Sequence, residues 1–214
     1  MIRWSPATVA DVLAEGLLAR ARELDAEHAL TGLDQWDEVD LHPVLAAGAA
    51  AAGFGVHREV RYPGDRESGP LSRGRRCDLV LTPDGRDLEA EPARRTLFDP
   101  PDATPLEDAC WIEVKTASQF IATAPNPAWS GQLGAGVRRD MARLAADPVI
   151  REAGLALVLF TRETAVAAHD LLAFEDACLA EGLPIGSPAR RILEITDRHG
   201  NAVVTLAVYP VGRA

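Results

Sequence analysis

Lysine is almost absent from this chain. Its 214 residues include 22 basic side chains, of which 21 are arginine and one, Lys115, is lysine. Such a ratio is what strong base-composition bias produces, so the single exception marks a position where arginine does not serve. Long apolar runs are also missing. No stretch reaches the 18 or more apolar residues that a membrane-spanning helix needs, and the weakly polar segment 44–56 is mostly Ala and Gly. The first residues, Met1-Ile2-Arg3-Trp4-Ser5-Pro6, lack an apolar core with a small-residue cleavage site, so no secretory signal is expected. Cysteine is scarce. Cys77, Cys110 and Cys178 are odd in number and show no CxxC spacing, which argues against a disulfide framework and a zinc cluster. Three small buried hydrophobes in a cytoplasmic protein is the expectation.

What is present fits a soluble globular domain: 47% hydrophobic and 25% charged residues, with a net charge of −10. The charge is uneven. Residues 1–40 hold nine acids against three bases, and residues 84–113 repeat that balance. Residues 57–76 reverse it, with six arginines against three acids. A broad basic face for nucleic acid is therefore absent. Only the 57–76 segment and the cluster Arg138, Arg139, Arg143 offer charge to phosphates.

Hydrophobic periodicity predicts helices over 7–29 and 38–52, then period-two strands over 56–62 and 76–81. A Pro-rich excursion, 86–108, precedes a third strand from Ala109 to Lys115. Asn126-Pro127 opens a helix expected to reach Ala146. An uninterrupted apolar strand, 155–161, reads as buried on both faces. A helix over 165–181 and a hairpin of strands 191–196 and 202–209 complete the order α-α-β-β-β-α-β-α-β-β. This predicts a single domain of α/β class, a three-layer α/β/α arrangement around a central mixed sheet. Residues 1–35 form an N-terminal helical extension, 36–182 the central part and 183–214 a C-terminal β-hairpin.

Two of the predicted strands each carry a carboxylate among apolar residues. Asp78 lies in Arg75-Arg76-Cys77-Asp78-Leu79-Val80-Leu81, and Glu113 in Cys110-Trp111-Ile112-Glu113-Val114-Lys115. Strand residues two apart share a face, so Glu113 and Lys115 point the same way. If the neighbouring strand brings Asp78 to that face, two carboxylates meet one ammonium. Carboxylates held together repel unless a cation separates them. A hard divalent ion, Mg²⁺ for preference or Mn²⁺, resolves the conflict. A compact lysine beside it, whose pKa its surroundings can lower, can orient or deprotonate a water and stabilise charge on a phosphate, which the planar, always protonated guanidinium of arginine does less well.

Asp78 followed by a strand with Glu113-Val114-Lys115 resembles the PD-(D/E)xK nuclease superfamily, whose fold is restriction-endonuclease-like. The resemblance covers residues 36–182 and includes the order of surrounding elements. Cys77 stands where a proline often precedes the aspartate. The 34 residues between Asp78 and Glu113 exceed a tight hairpin, so 86–108 would be an insertion at its tip. The resemblance implies a Mg²⁺-dependent nuclease that hydrolyses phosphodiester bonds and leaves a 5′-phosphate. Its metal ligands would be Asp78, Glu113 and the carbonyl of Val114, and Lys115 would position the attacking water. It also implies a glutamate from the helix before the first strand. Glu38 fills that place, with Asp37 and Asp40 as neighbours that could substitute. Gln132, opening the helix after Lys115, would be a polar residue near the site.

Each assignment has a plainer counterpart. An acid in a first helical turn can simply answer the helix dipole, and Gln132 can be a solvated helix start. His42, one turn after Glu38, could reach the same place, although packing is the ordinary role of such a histidine. Arg73, Arg75 and Arg76 lead into the Asp78 strand and could hold a nucleic-acid backbone. DNA is preferred over RNA as the partner. Because the chain is acidic, a protein partner or a homodimer is expected to supply affinity. A catalytically silent relative that keeps the fold as a binding or assembly subunit is the alternative.

Overall fold

The computed structural model describes residues 4–64, 75–89 and 102–212. Helix α1 (Pro6–Ala26) starts on a proline, whose missing N–H costs nothing in a first turn. It is followed by α2 (Glu38–Ala51) and by strands β1 (Gly55–Arg61), β2 (Arg76–Thr82) and β3 (Cys110–Ser118). A small hairpin, β4 (Phe120–Ile121) and β5 (Ala124–Pro125), leads to α3 (Trp129–Gln132) and α4 (Ala135–Ala146). Then come β6 (Glu152–Thr161), α5 (Thr164–Ala180), β7 (Ala189–Glu194) and β8 (Val203–Val211).

The fold is mixed α/β. Six strands form one mixed sheet in the order β1-β2-β3-β6-β8-β7, in which β3 and β6 run parallel and every other neighbouring pair is antiparallel. β3 and β6 occupy the middle, and residues 155–161 of β6 are buried throughout, as their continuous apolar pattern requires. Helices pack on the sheet in two separate buried clusters. α1 and α2 pack with Leu79, Ile112, Val114 and Val158, while α4 and α5 pack with Val80, Trp111, Leu157 and Tyr209. The side chains of Leu13, Leu17, Leu41 and Leu45 are fully buried, each worth ~1.5–3 kcal/mol on removal from water.

The alanine-rich α2 lies directly on α1. A Cβ on Gly16 would stand 2.3 Å from Val44 O, and one on Gly48 2.2 Å from Val12 O, so the crossing requires glycine on both helices. This contact fixes where the N-terminal end of α2 points, and with it Glu38.

Several boundaries differ from those the sequence predicts. The helix expected from Asn126 to Ala146 is two helices. Gly134 adopts an extended backbone (φ −85°, ψ −152°), and Asn126 serves a turn instead, accepting from Ala128 N–H and donating to Ser118 O. The third strand continues to Ser118 because β6 offers it a nine-residue parallel partner. The hairpin β4–β5 was not expected. Its two connecting residues, Ala122 and Thr123, take left-handed backbone (φ 46° and 70°) without the glycine that usually signals such a turn. All three cysteines are free and buried. Among the described residues, no helix is long and apolar enough to cross a membrane.

Candidate active site

The antiparallel ladder between β2 and β3 pairs Leu81 with Cys110, Val80 with Trp111 and Leu79 with Ile112, and then stops. One step further Asp78 would face Glu113. Instead, the Asp78 side chain takes over the bonding: its Oδ2 accepts the Val114 N–H at 2.7 Å. The partner ladder to β1 is interrupted at the same level, where Glu59 adopts left-handed backbone (φ 54°) between the pairs Arg58–Leu79 and Val60–Cys77. The buried Cys77 thiol donates to Leu79 O and Ile112 O, filling part of the break. β2 thus parts from β3 at Asp78, and groups from α2, β3 and α4 meet in the opening.

Lys115 is at the centre. Its Nζ is 2.9 Å from Glu38 Oε1, 3.6 Å from Asp140 Oδ2, and 3.9 Å from both Asp78 Oδ2 and Glu113 Oε2. It also donates to Val114 O at 2.8 Å. Asp78 and Glu113 therefore lie no further apart than twice 3.9 Å. Glu38 binds twice, with Oε1 on the ammonium and Oε2 on the Thr116 N–H at 3.1 Å. Of the three acids at the start of α2, Glu38 turns toward the strands, whereas Asp37 and Asp40 are exposed.

Burial and the neighbouring charges work against each other here. Burial opposes the charge on Lys115, but Glu38, Asp78 and Glu113 outweigh it and hold the ammonium above the ordinary lysine value. Glu113 is 3% exposed. Burial first, and then the Asp78 charge, push its carboxyl up to about 8, while Tyr62 and Lys115 pull the other way. The Tyr62 hydroxyl donates to Glu113 Oε1. Burial likewise raises the Tyr62 phenol, which stays a donor.

Two residues join this group that sequence reasoning does not single out. Asp140 projects from α4 and also pairs with Arg143 at 3.0 Å. Tyr62, just past β1, holds Glu113 and lies under the Arg143 guanidinium, 5.7 Å from its ring. Tyr62 is a plain apolar position in a period-two pattern, and Asp140 sits in an arginine-rich helix, so neither carries a signal. His42 could be found from the helix period, since it shares the face of Glu38. It is 5% exposed, and its Nε2 lies 4.0 Å from Asp78 Oδ1.

The remaining predicted residues lie elsewhere. Gln132, at the end of α3, accepts from Asn126 Nδ2 at 3.2 Å. Arg76 donates to Glu59 O at 2.7 Å. Arg75 lines a groove of about 610 Å³ together with Arg139, Asp140 and Arg143. Asp140 belongs to both that groove and the Lys115 cluster. Arg73 lies outside the described residues.

The chain matches no family model, no curated protein and no solved structure. The chemistry of the site therefore rests on its own geometry. Among the described residues, four carboxyl groups, Glu38, Asp78, Glu113 and Asp140, face two cations, Lys115 and Arg143. A divalent cation would relieve that excess of negative charge. Glu38, His42 and Asp78 each offer one ligand atom, all within 4.8 Å of one another, and Glu113 adds a further oxygen 3.9 Å from the Lys115 ammonium.

Proposed function

We propose that the protein is a metal-dependent nuclease that hydrolyses phosphodiester bonds, with DNA preferred and the acidic chain working in a complex or as a dimer. The reading includes a three-layer, restriction-endonuclease-like fold, a divalent ion (Mg²⁺ or Mn²⁺) and a cytoplasmic setting. The observation that carries it is the placement of the only lysine. Lys115 Nζ lies 3.9 Å from both Asp78 and Glu113 at the point where their two strands part. A sequence that otherwise uses arginine keeps a compact ammonium there, beside two carboxylates too close to ionise together without help.

In this reading, Asp78, Glu113 and Glu38 hold the ion. When bound, it supplies the positive charge that polarises a phosphodiester and acidifies a water. Lys115 stays protonated, so its part is to orient the attacking water and to meet charge on the phosphate rather than to accept a proton. Asp78 also fixes the Val114 backbone, which keeps the strand beneath the ammonium in place. Arg75 and Arg139 line the groove that Asp140 shares with the cluster, and there they would steady the backbone of the nucleic acid.

The test is direct. Supercoiled plasmid, linear DNA and RNA are incubated with the protein and Mg²⁺ or Mn²⁺, or with EDTA. Metal-dependent cutting by wild type that is lost in Glu113→Ala and in Lys115→Ala supports the reading. No cutting of any substrate, with both variants still recovering the same protein partner as wild type, overturns it in favour of a binding or assembly subunit.

A further inference from the structure

We infer that Glu38, His42 and Asp78 form a cation centre with an imidazole ligand, which selects a transition-metal ion such as Mn²⁺ over Mg²⁺ or Ca²⁺. The inference rests on the reading that this cluster holds a divalent metal. It goes further by adding a nitrogen donor and by fixing the class of ion.

Glu38 and His42 are one turn apart on α2, so the helix itself places both side chains on one face. Asp78 approaches from β2. The three candidate ligand atoms lie within 4.8 Å of one another. Ligand atoms around an ion at ~2.0–2.2 Å are ~3–4 Å apart. The 4.0 Å between His42 Nε2 and Asp78 Oδ1 is such a span, too long for a hydrogen bond and right for two ligands of one ion.

The independent observation is the state of His42. The residue is 5% exposed, and among the described residues its Nε2 has no hydrogen-bond partner. A buried polar nitrogen is normally satisfied. This one is aimed at a carboxylate it does not bond. The other ring nitrogen, Nδ1, lies 3.7 Å from Glu59 Oε1. That is too long for a hydrogen bond, but it is the side on which a ligating histidine commonly has a carboxylate as outer partner, and a carboxylate there favours the proton on Nδ1 and leaves the lone pair of Nε2 for the metal. The left-handed backbone of Glu59 occurs where β1 passes this cluster (φ 54°).

The donor set decides the ion. Mg²⁺ and Ca²⁺ prefer oxygen throughout. One imidazole among carboxylates favours ions further along the first-row series, where nitrogen affinity rises. Asp78 is the carboxylate that faces His42, and Glu113, held by Tyr62, completes the oxygen donors.

The experiment titrates Mn²⁺ into the full chain and follows loss of the free aqueous Mn²⁺ resonance, with Mg²⁺ as competitor. Pulsed resonance of the bound ion then reads its nitrogen neighbours. Wild type is expected to bind Mn²⁺ at least about tenfold more tightly than Mg²⁺ and to show imidazole ¹⁴N modulation. His42→Gln should lose the modulation and at least about tenfold in Mn²⁺ affinity. Should that variant fail to fold, ¹⁵N-histidine labelling of the wild type assigns the nitrogen without any substitution. Bound Mn²⁺ without nitrogen modulation, or unchanged affinity in His42→Gln, overturns the imidazole ligand and leaves the nuclease reading standing. Absence of both Mn²⁺ and Mg²⁺ binding to wild type overturns the two together.

Discussion

Lys115 and Glu38 are 77 residues apart in the chain and 2.9 Å apart in the fold. The contact joins the central strand of the sheet to the first turn of α2, across the break between β2 and β3. Glu38 answers the positive end of its helix and the ammonium at once. With Asp140 from α4 at 3.6 Å on the same nitrogen, Lys115 ties the strand to both α2 and α4. Its length and its small head group are what allow this.

Lys115→Arg tests that point. The guanidinium is larger and planar, and it cannot occupy a point 3.9 Å or less from four carboxylates without displacing one. The variant keeps the charge, so the fold should survive with a thermal midpoint within a few degrees of wild type. Metal-dependent phosphodiester cleavage should fall by about 10²–10³-fold, the usual cost of losing one placed donor. A plasmid-nicking assay beside a melting curve checks both halves, and activity near the wild-type level would show that the charge alone suffices.

Asp78 has a structural duty as well as a chemical one. Its Oδ2 replaces the missing ladder partner of Val114 N–H. Asp78→Leu leaves that buried donor unpaired and should cost ~1–3 kcal/mol in urea unfolding. Asp78→Asn keeps an oxygen acceptor and should cost less than half as much. Both variants should lose the response of the melting temperature to added divalent metal. Equal destabilisation by Leu and Asn would show that the Val114 bond contributes little.

Most of the element order was legible in the sequence because residues 56–62 alternate, β6 is a continuous apolar run and the long helices carry apolar residues at helical spacing. Asp78, Glu113 and Lys115 were legible for a related reason: charged residues among apolar strand positions stand out. Glu38 was reachable only through the family resemblance, since an acid in a first helical turn reads by itself as an answer to the helix dipole. What the sequence does not carry is lateral placement. Asp140 comes from α4 and Tyr62 from the end of β1, and their meeting depends on how the sheet opens at Asp78, a register event with no local signal. The break in the 126–146 helix depends on Gly134 taking extended backbone, which the smooth apolar stripe of Leu133, Val137 and Met141 conceals.

Glu113 should make stability fall with pH when no metal is present. Its folded-state value, about 8, is above the unfolded value near 4.5. A raised acid binds its proton more tightly in the folded state. Its contribution is therefore fully present below about pH 4.5 and is lost as pH rises through about 8. The loss can be no steeper than about 1.4 kcal/mol per pH unit. In EDTA, denaturant unfolding of wild type between pH 5 and pH 8.5 should show this decline relative to Glu113→Gln, which carries no titrating group there. Parallel curves for the two proteins would show that Glu113 is ionised throughout.

The groove of Arg75, Arg139 and Arg143 predicts how affinity depends on salt. Arg143 is committed to Asp140 and lies over the Tyr62 ring, whereas Arg75 and Arg139 are exposed. Each phosphate contact releases condensed counterions from DNA and adds ~0.9 to the slope of log affinity against log salt. Replacing Arg75 and Arg139 with glutamine should weaken binding of short duplexes of any sequence by about the same factor. It should also lower the slope by up to about two. The Lys115 cluster is untouched, so cleavage at saturating DNA should change little while half-saturation moves to higher DNA concentration. Fluorescence anisotropy across a salt series, with EDTA present to prevent cutting, measures the slope, and a slope equal to that of wild type would place the nucleic acid on another surface.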